Sequence, residues 1–499
     1  MKRISLKLIL LFVTVLFSNC KKEFLDTVPT SSTDEATIFA TTTNTKNVMN
    51  GIYRYMYTKY STQNQPGHGG MMLQLDFMGE DIGLAVQSWY TNAANGAANW
   101  IEMRNESDIW VEFPFRFYYR VVGNANRIID NVDAAEGPDA EKRMLKAEAL
   151  TVRAWAYHNL VRLFAKRYDK ASKPNNQLGV SMPLSATQIN LPRSSVEAVY
   201  TQINLDLDNA IDLFNGATLA ENKSHISIDA ARAVKANVAL TMQEYEVAAT
   251  FAQAVITNNK YSLMTEAQYQ SGFNDISNPE WIWGVYLQAD QGDTFANYHA
   301  QISLDGNTTF IRDRPKRINS ALYALIPSTD VRKKMWEPTP TAANFPLPAA
   351  NFKRENYMSR KFKVKTANTT LGDVPYIRLA EVYLTLAEAL ANIPGREVEA
   401  RQKLYDLNRT RNASYALSTN SGAALIEEIL VYRRVELWGE GHRFYDLKRL
   451  NRGLDRRTAP NFVAASVGDV MVIPAGDPRW QWVIPRAEIQ ANTNTKQND

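Results

Sequence analysis

The sequence is poor in the side chains that most often carry chemistry. It has one cysteine and five histidines in 499 residues. With no cysteine after position 20, neither disulfides nor thiol catalysis is available to the rest of the chain. His68, His158, His225, His299 and His442 never pair at metal-ligand spacing, and no H-E-x-x-H occurs, so no metal and no cofactor is expected. A G-x-S-x-G elbow and a phosphate loop are also missing. Net charge is small, at +4, and Lys2, Arg3 and Lys7 supply most of it. That balance excludes a nucleic-acid surface, and the run Arg312, Arg314, Lys316, Arg317 reads as a solvated loop face. Past the first twenty residues no apolar stretch approaches the roughly 20 residues that span a bilayer.

What is present begins with that N-terminus. A basic start is followed by nearly unbroken hydrocarbon from Leu8 to Phe17, the length of a secretory h-region. Residues 1–19 read as a signal peptide. It stops at Ser18-Asn19-Cys20, and a lone cysteine there is placed to take a diacylglyceryl group and become the new N-terminus. Lipoprotein signals usually carry Gly, Ala or Ser just before the cysteine, where this chain has Asn19. Two or three acyl chains anchor essentially permanently, at about 0.8 kcal/mol per buried CH₂. Residues 20–33, polar and Pro-containing, read as a tether to a body that must hold itself together by core packing.

The body divides into an N-terminal region, 34–260, and a C-terminal region, 261–499. Asp34 reads as a helix start, and Met49 to Tyr57 as helical and aromatic-rich. Residues 62–110 carry six glycines and no lasting period, and read as a loop-rich insertion, which is uncommon in a compact domain unless functional. Helical periodicity resumes at Val111, is strong over Glu141 to Phe164, and returns near Ser194 to Phe214. Ser227 to Ile256 is the clearest helix pair, with Ser227 as N-cap and alanines at the contact. Tyr376 to Arg411 is a second pair, broken at Ile393-Pro394-Gly395. Trp281 to Tyr286 reads as a short strand or buried extended segment. Tightly joined, Ala-rich helix pairs are the unit of tetratricopeptide-like arrays, although a generic bundle has the same local pattern. The fold class expected is therefore mainly α: a helix-pair array with loop-rich insertions and a few short strands.

Two charge groupings invite a catalytic reading. Glu80-Asp81 is a carboxylate pair of the kind a glycosidase needs, or a solvated loop tip. Arg433, Arg434, Glu436, Glu440, Arg443, Asp446 and Arg449 form the densest constellation, with opposite charges three and four apart. Leu437, Trp438, Phe444, Tyr445 and Leu447 interleave it, which favours ion pairs that knit a C-terminal helix onto the core.

The same residues carry a resemblance. Arg378-Leu-Ala-Glu381-Val-Tyr-Leu-Thr-Leu-Ala-Glu388-Ala resembles R-x-A-E-x-Y-L-x-x-A-E-A, and Leu407-Asn408-Arg409-Thr-Arg411-Asn412 follows it. Arg433 to Arg449 resembles the block E-R-x-x-E-L-x-x-E-G-x-R-x-x-D-L-x-R, with Tyr432 in place of the usual first Glu. Ile484-Pro485-Arg-Ala-Glu488-Ile-Gln-Ala-Asn492 is similar to the close I-P-x-x-E-x-x-x-N, and Cys20-Lys-Lys-Glu-Phe24-Leu25-Asp26 to the opening C-x-x-x-F-L-D. Together these resemble the SusD/RagB family of outer-membrane lipoproteins.

The resemblance implies a non-catalytic protein on the cell surface that holds a glycan, or sometimes a peptide, for a SusC-like TonB-dependent transporter. It implies that the charged blocks are scaffold. It also implies that loop aromatics stack on sugar rings while polar groups take the edges. On that basis the ligand-binding candidates are Trp89, Tyr90 and Trp100, with Asp76 and Asn99 beside them, and Phe295 with Tyr298. The other readings that remain open are a helical glycoside hydrolase and a repeat scaffold that binds only proteins.

Overall fold

A computed structural model describes residues 35–83, 98–218 and 222–498. The signal, Cys20, the tether, Asp34, Trp89 and Tyr90 lie outside the described residues. Thr41 starts the first long helix, α1 (Thr42–Tyr55), where its side chain accepts the Asn44 amide. The next helix, α2 (Gly67–Met78), overturns the expectation of loop for this stretch. Every residue in it except His68 is buried. A helix enclosed on all sides has no polar face and so shows no 3.6-residue stripe. Its glycines, read as loop punctuation, are there for close approach. A Cβ on Gly69 would meet Tyr298 Cβ at 3.1 Å and its ring at 3.3 Å, and one on Gly67, whose φ is +50°, would lie 2.0 Å from the Met56 carbonyl oxygen.

The scaffold follows in long helices. They are α3 (Ile109–Asn131), α4 (Asp139–Phe164), α5 (Val196–Phe214), α6 (Ile228–Thr241) and α7 (Tyr245–Thr257). After an irregular middle section come α8 (Leu379–Ala391), α9 (Glu397–Arg411), α10 (Gly422–Glu436) and α11 (Arg443–Arg449). Ser195 and Ser227 cap α5 and α6 by accepting the Ala198 and Ala230 amides, each such cap contributing about 1 kcal/mol. Helix α4 packs on both α3 and α5, α6 on α7, α7 on α8, and α8 on α9 and α10, giving a stack of helix hairpins. Among the described residues no helix is long and apolar enough to cross a membrane.

Strands are few and short. The longest pair is antiparallel, β1 (Trp281–Val285) with β2 (Val374–Arg378), in register from Trp281 opposite Arg378 to Val285 opposite Val374. Four two-residue strands form one more sheet, which ties Ile82–Gly83 to Arg317–Ile318, then Met358–Ser359, then Trp336–Glu337. Arg317 and Lys316 are buried there rather than solvated. The Lys316 ammonium donates to the Phe310 and Arg314 carbonyls, and Arg317 to the carbonyls of Gly83 and Asn461.

Candidate functional site

Three places could carry function, and the first two are closed. Glu436, at the end of α10, sits at the middle of a buried ion network. Its carboxylate accepts from Arg332 Nη1 at 3.2 Å, Arg378 Nη1 at 3.2 Å, and Arg411 Nε and Nη2 at 3.2 and 3.1 Å. Glu280, just before β1, takes Arg411 Nη2 at 2.7 Å and also pairs with Arg378. Glu440 takes Arg378 Nε and Nη2, each at 2.8 Å, and Lys361 Nζ at 2.7 Å. None of these side chains is more than 5% exposed. Burial alone would push the Glu440 carboxyl up, but Arg378 and Lys361 hold it down to about 2. Charges so enclosed fix elements to one another and reach no substrate.

The expected partners within the C-terminal block need correction. None of the three pairs that the spacing suggests, Arg433 with Glu436, Glu440 with Arg443 and Arg443 with Asp446, is formed; α10 ends at Glu436 and the chain turns through Gly439 and Gly441 at positive φ before α11. The charges therefore reach distant elements. Arg443 holds Glu80, Arg434 holds Asp81 at 2.6 Å, and Arg449 takes Glu388 on α8. Asp446 pairs with Arg433 and Arg449, each at 2.8 Å. Glu80-Asp81 is thus neither a solvated tip nor an open carboxylate pair. Both side chains are buried against those arginines, which hold the Glu80 carboxyl below its ordinary range despite burial.

The sequence-chosen ligand residues are mostly in the core. Asp76 is buried in α2 and accepts the Gly441 amide at 3.0 Å, and burial holds its carboxyl well above the usual range. Trp100 is fully buried, donates its indole N–H to the Met78 carbonyl at 3.0 Å and meets Trp480 edge-on at 4.6 Å. Asn99 is buried and donates to Glu102 at 3.2 Å. Tyr298 is buried, with its hydroxyl given to the Gly439 carbonyl. Asp76, Trp100 and Tyr298 are misplaced because they pack in or against α2, a helix the local pattern does not show. Among the described candidates only Phe295 is on the surface, 42% exposed.

The third place is open. A groove of about 490 Å³ runs between α1, the end of β1 and the segment that follows it. Along its floor α1 turns out Asn47, Asn50, Gly51 and Arg54, three and four residues apart and all exposed. Tyr286, one residue past β1, stands 47% exposed at the rim, with Lys365 Nζ 5.8 Å above its ring centre. Tyr57 donates its hydroxyl to Gln291 Oε1 at 2.6 Å and so pins the segment that also carries Gln288 and, beyond it, Phe295. On the inner wall Trp283 and Tyr376 are ring neighbours at 5.2 Å, and Tyr376 donates to the Met56 carbonyl at 3.1 Å.

His225 closes one side of the groove. Its Nδ1 lies 3.2 Å from Glu148 Oε2, which also accepts the Tyr53 hydroxyl at 2.5 Å. A carboxylate can only accept, so Nδ1 carries the proton and the imidazole is oriented from behind. Flat rings beside amides, a guanidinium and an imidazole form a surface for a polar ligand with apolar faces. Sequence reasoning missed Tyr286 by assigning the whole Trp281–Tyr286 run to the interior. The polar face of α1 was legible as Asn47, Asn50 and Arg54 at helical spacing.

The described geometry can be set beside known proteins. A model of the SusD family matches residues 242–499, and one described as starch-binding associating with outer membrane matches residues 23–240. SusD-like protein P25 of Formosa agariphila is 24% identical, over 90% of this chain and 90% of its own. A SusD-like carbohydrate binding protein from Bacteroides vulgatus is similar in structure, with TM-score 0.77 and 25% identity, covering 91% of this chain and 97% of that one. A SusD superfamily protein from Bacteroides thetaiotaomicron also has TM-score 0.77 at 25% identity, covering 92% of this chain and all of that one. With both halves matched in order and the helical scaffold shared end to end, the chain belongs to the SusD/RagB family.

Proposed function

We propose that this protein captures an oligosaccharide in the groove between α1 and β1 and passes it to a SusC-like TonB-dependent transporter, without cleaving it. The observation that carries the reading is the groove itself, where the half-exposed Tyr286 ring faces a floor of amides on α1. The carbohydrate-binding title of the Bacteroides vulgatus relative supports the ligand class. The enclosed state of Glu80, Asp81 and the Glu436 network supports capture over hydrolysis. Purified protein incubated with a glycan panel should retain at least one member and release no reducing ends. Release of reducing ends would instead mark a hydrolase, and neither outcome would point to a peptide ligand or a scaffold.

Tyr286→Ala should weaken that retention about tenfold, the size of one lost ring contact, with the thermal melt unchanged. Gly51→Trp should block it, because a Cβ there meets nothing within 4 Å and the indole is free to occupy the groove. Normal retention by both variants would remove the groove as the site. Trp89, Tyr90 and Phe295 remain proposed as additional ligand contacts.

We also propose that Cys20 holds the protein on the outer membrane, facing outward, so that captured ligand is close to the transporter. Palmitate fed to expressing cells should label the wild-type chain and not Cys20→Ala. Equal labelling of the two would exclude the anchor.

A further inference from the structure

Resting on the groove as the ligand site, we infer that its ligand is an acidic saccharide, bearing a carboxylate or a sulfate, and that Arg54 takes the anionic group. No aspartate or glutamate lines the groove among the described residues, whereas Arg54 and His225 do. Arg54 is exposed on the floor and forms no salt bridge among the described residues, unlike Lys59, which is tied to Asp293 at 3.0 Å, and Lys365, tied to Asp373 at 3.2 Å. A guanidinium has five N–H donors and no acceptor, arranged to meet two oxygens of one anion.

The other polar groups that line the groove add no negative charge among the described residues. Gln291 has its carbonyl oxygen occupied by the Tyr57 hydroxyl, which leaves its NH₂ end for a ligand. His225 gives its Nδ1 proton to Glu148, which leaves Nε2 as an acceptor for a sugar hydroxyl. Glu148 itself is buried behind Tyr53 and His225, out of reach. Asp290 is near enough to act on the Tyr57 phenol but does not line the groove. A neutral sugar edge brings no negative charge to balance the guanidinium. A carboxylate or sulfate supplies two or three acceptor oxygens on one substituent.

The test is a binding panel of matched pairs: uronate oligosaccharides with their carboxyl-reduced forms, and sulfated ones with their desulfated forms. At least one acidic member should bind at least about tenfold more tightly than its neutral counterpart, and increasing salt should weaken it. Which pair shows the difference separates carboxylate from sulfate. Arg54→Gln should remove most of that difference while the melting temperature stays as in wild type. Neutral members binding as well as acidic ones, or Arg54→Gln leaving the acidic preference intact, would overturn the inference and leave capture in the groove standing. No retention of any saccharide would overturn both readings.

Discussion

Glu436→Gln should destabilise the protein by about 3–5 kcal/mol, enough to remove a large part of the stability of an ordinary domain. Around Glu436 the buried charges balance: Glu280, Glu436, Glu440 and Asp330 face Arg332, Arg378, Arg411 and Lys361. Removing one acid leaves an uncompensated positive charge in a dry region. No arginine can turn to water, since Arg332, Arg378 and Arg411 are each no more than 1% exposed. The loss also spreads. Arg332 precedes the Trp336 strand, Arg378 ends β2, Arg411 ends α9 and Glu436 ends α10, so one carboxylate ties four elements together.

The acid dependence of this contribution has a definite sign. The arginines hold the Glu436 carboxyl well below its ordinary range, so its stabilisation is present above about pH 4.5 and fades only as pH falls toward the depressed folded value. Urea unfolding at pH 7 measures the loss. The exposed pair Arg452 with Glu427 is the control, and Glu427→Gln should cost less than about 1 kcal/mol. If the two variants unfold at similar urea concentrations, the network is not what holds these elements together.

The parts of this architecture that were legible carry helix signals in their own local sequence. The α6–α7 and α8–α9 hairpins show apolar residues at helical spacing and a serine cap or a Pro-Gly break. Helix α2 has neither a stripe nor a side-chain cap, and three of its first four residues are glycine. Local propensity argues against a helix there, and the enclosing core decides for one. The charge block was legible as scaffold but not in its pairing. Two glycines at positive φ between α10 and α11 redirect the side chains to partners such as Glu80, hundreds of residues away in sequence. The groove was legible in part. Helical spacing exposes Asn47, Asn50 and Arg54, but nothing local tells that a strand ends one residue before Tyr286.

Between pH 7 and pH 5 the protein should lose about 4 kcal/mol of stability, from histidines held neutral in the core. His68 is pushed down to about 3 by burial, with Arg162 and His442 adding to it. Its Nδ1 is 2.9 Å from the Tyr118 hydroxyl and its ring lies edge-on to Trp155 at 4.6 Å. His299 is pushed down to about 4, again by burial, against a small opposing pull from its Nε2 bond to the Asp373 carbonyl at 2.9 Å. Gly372 packs on that ring so closely that a Cβ would lie 2.4 Å from Cδ2, so no water can enter to solvate a charge.

The sign follows from the lowered values. In the unfolded chain each histidine takes a proton near pH 6.5, and in the folded chain it does not until pH 3–4. Stability is therefore full above about pH 6.5 and falls with pH through that window, by about 2 kcal/mol per histidine at pH 5. His158, buried beside Thr241, and His442 move in the same direction, while Asp76, whose carboxyl burial holds high, moves in the opposite one. Unfolding at constant temperature should take up about two protons near pH 5.5. His299→Gln should lower the slope of stability against pH by about one proton, whatever it does to stability at pH 7. A flat profile from pH 7 to pH 5, or an unchanged slope in that variant, would show that the buried rings are charged in the native state.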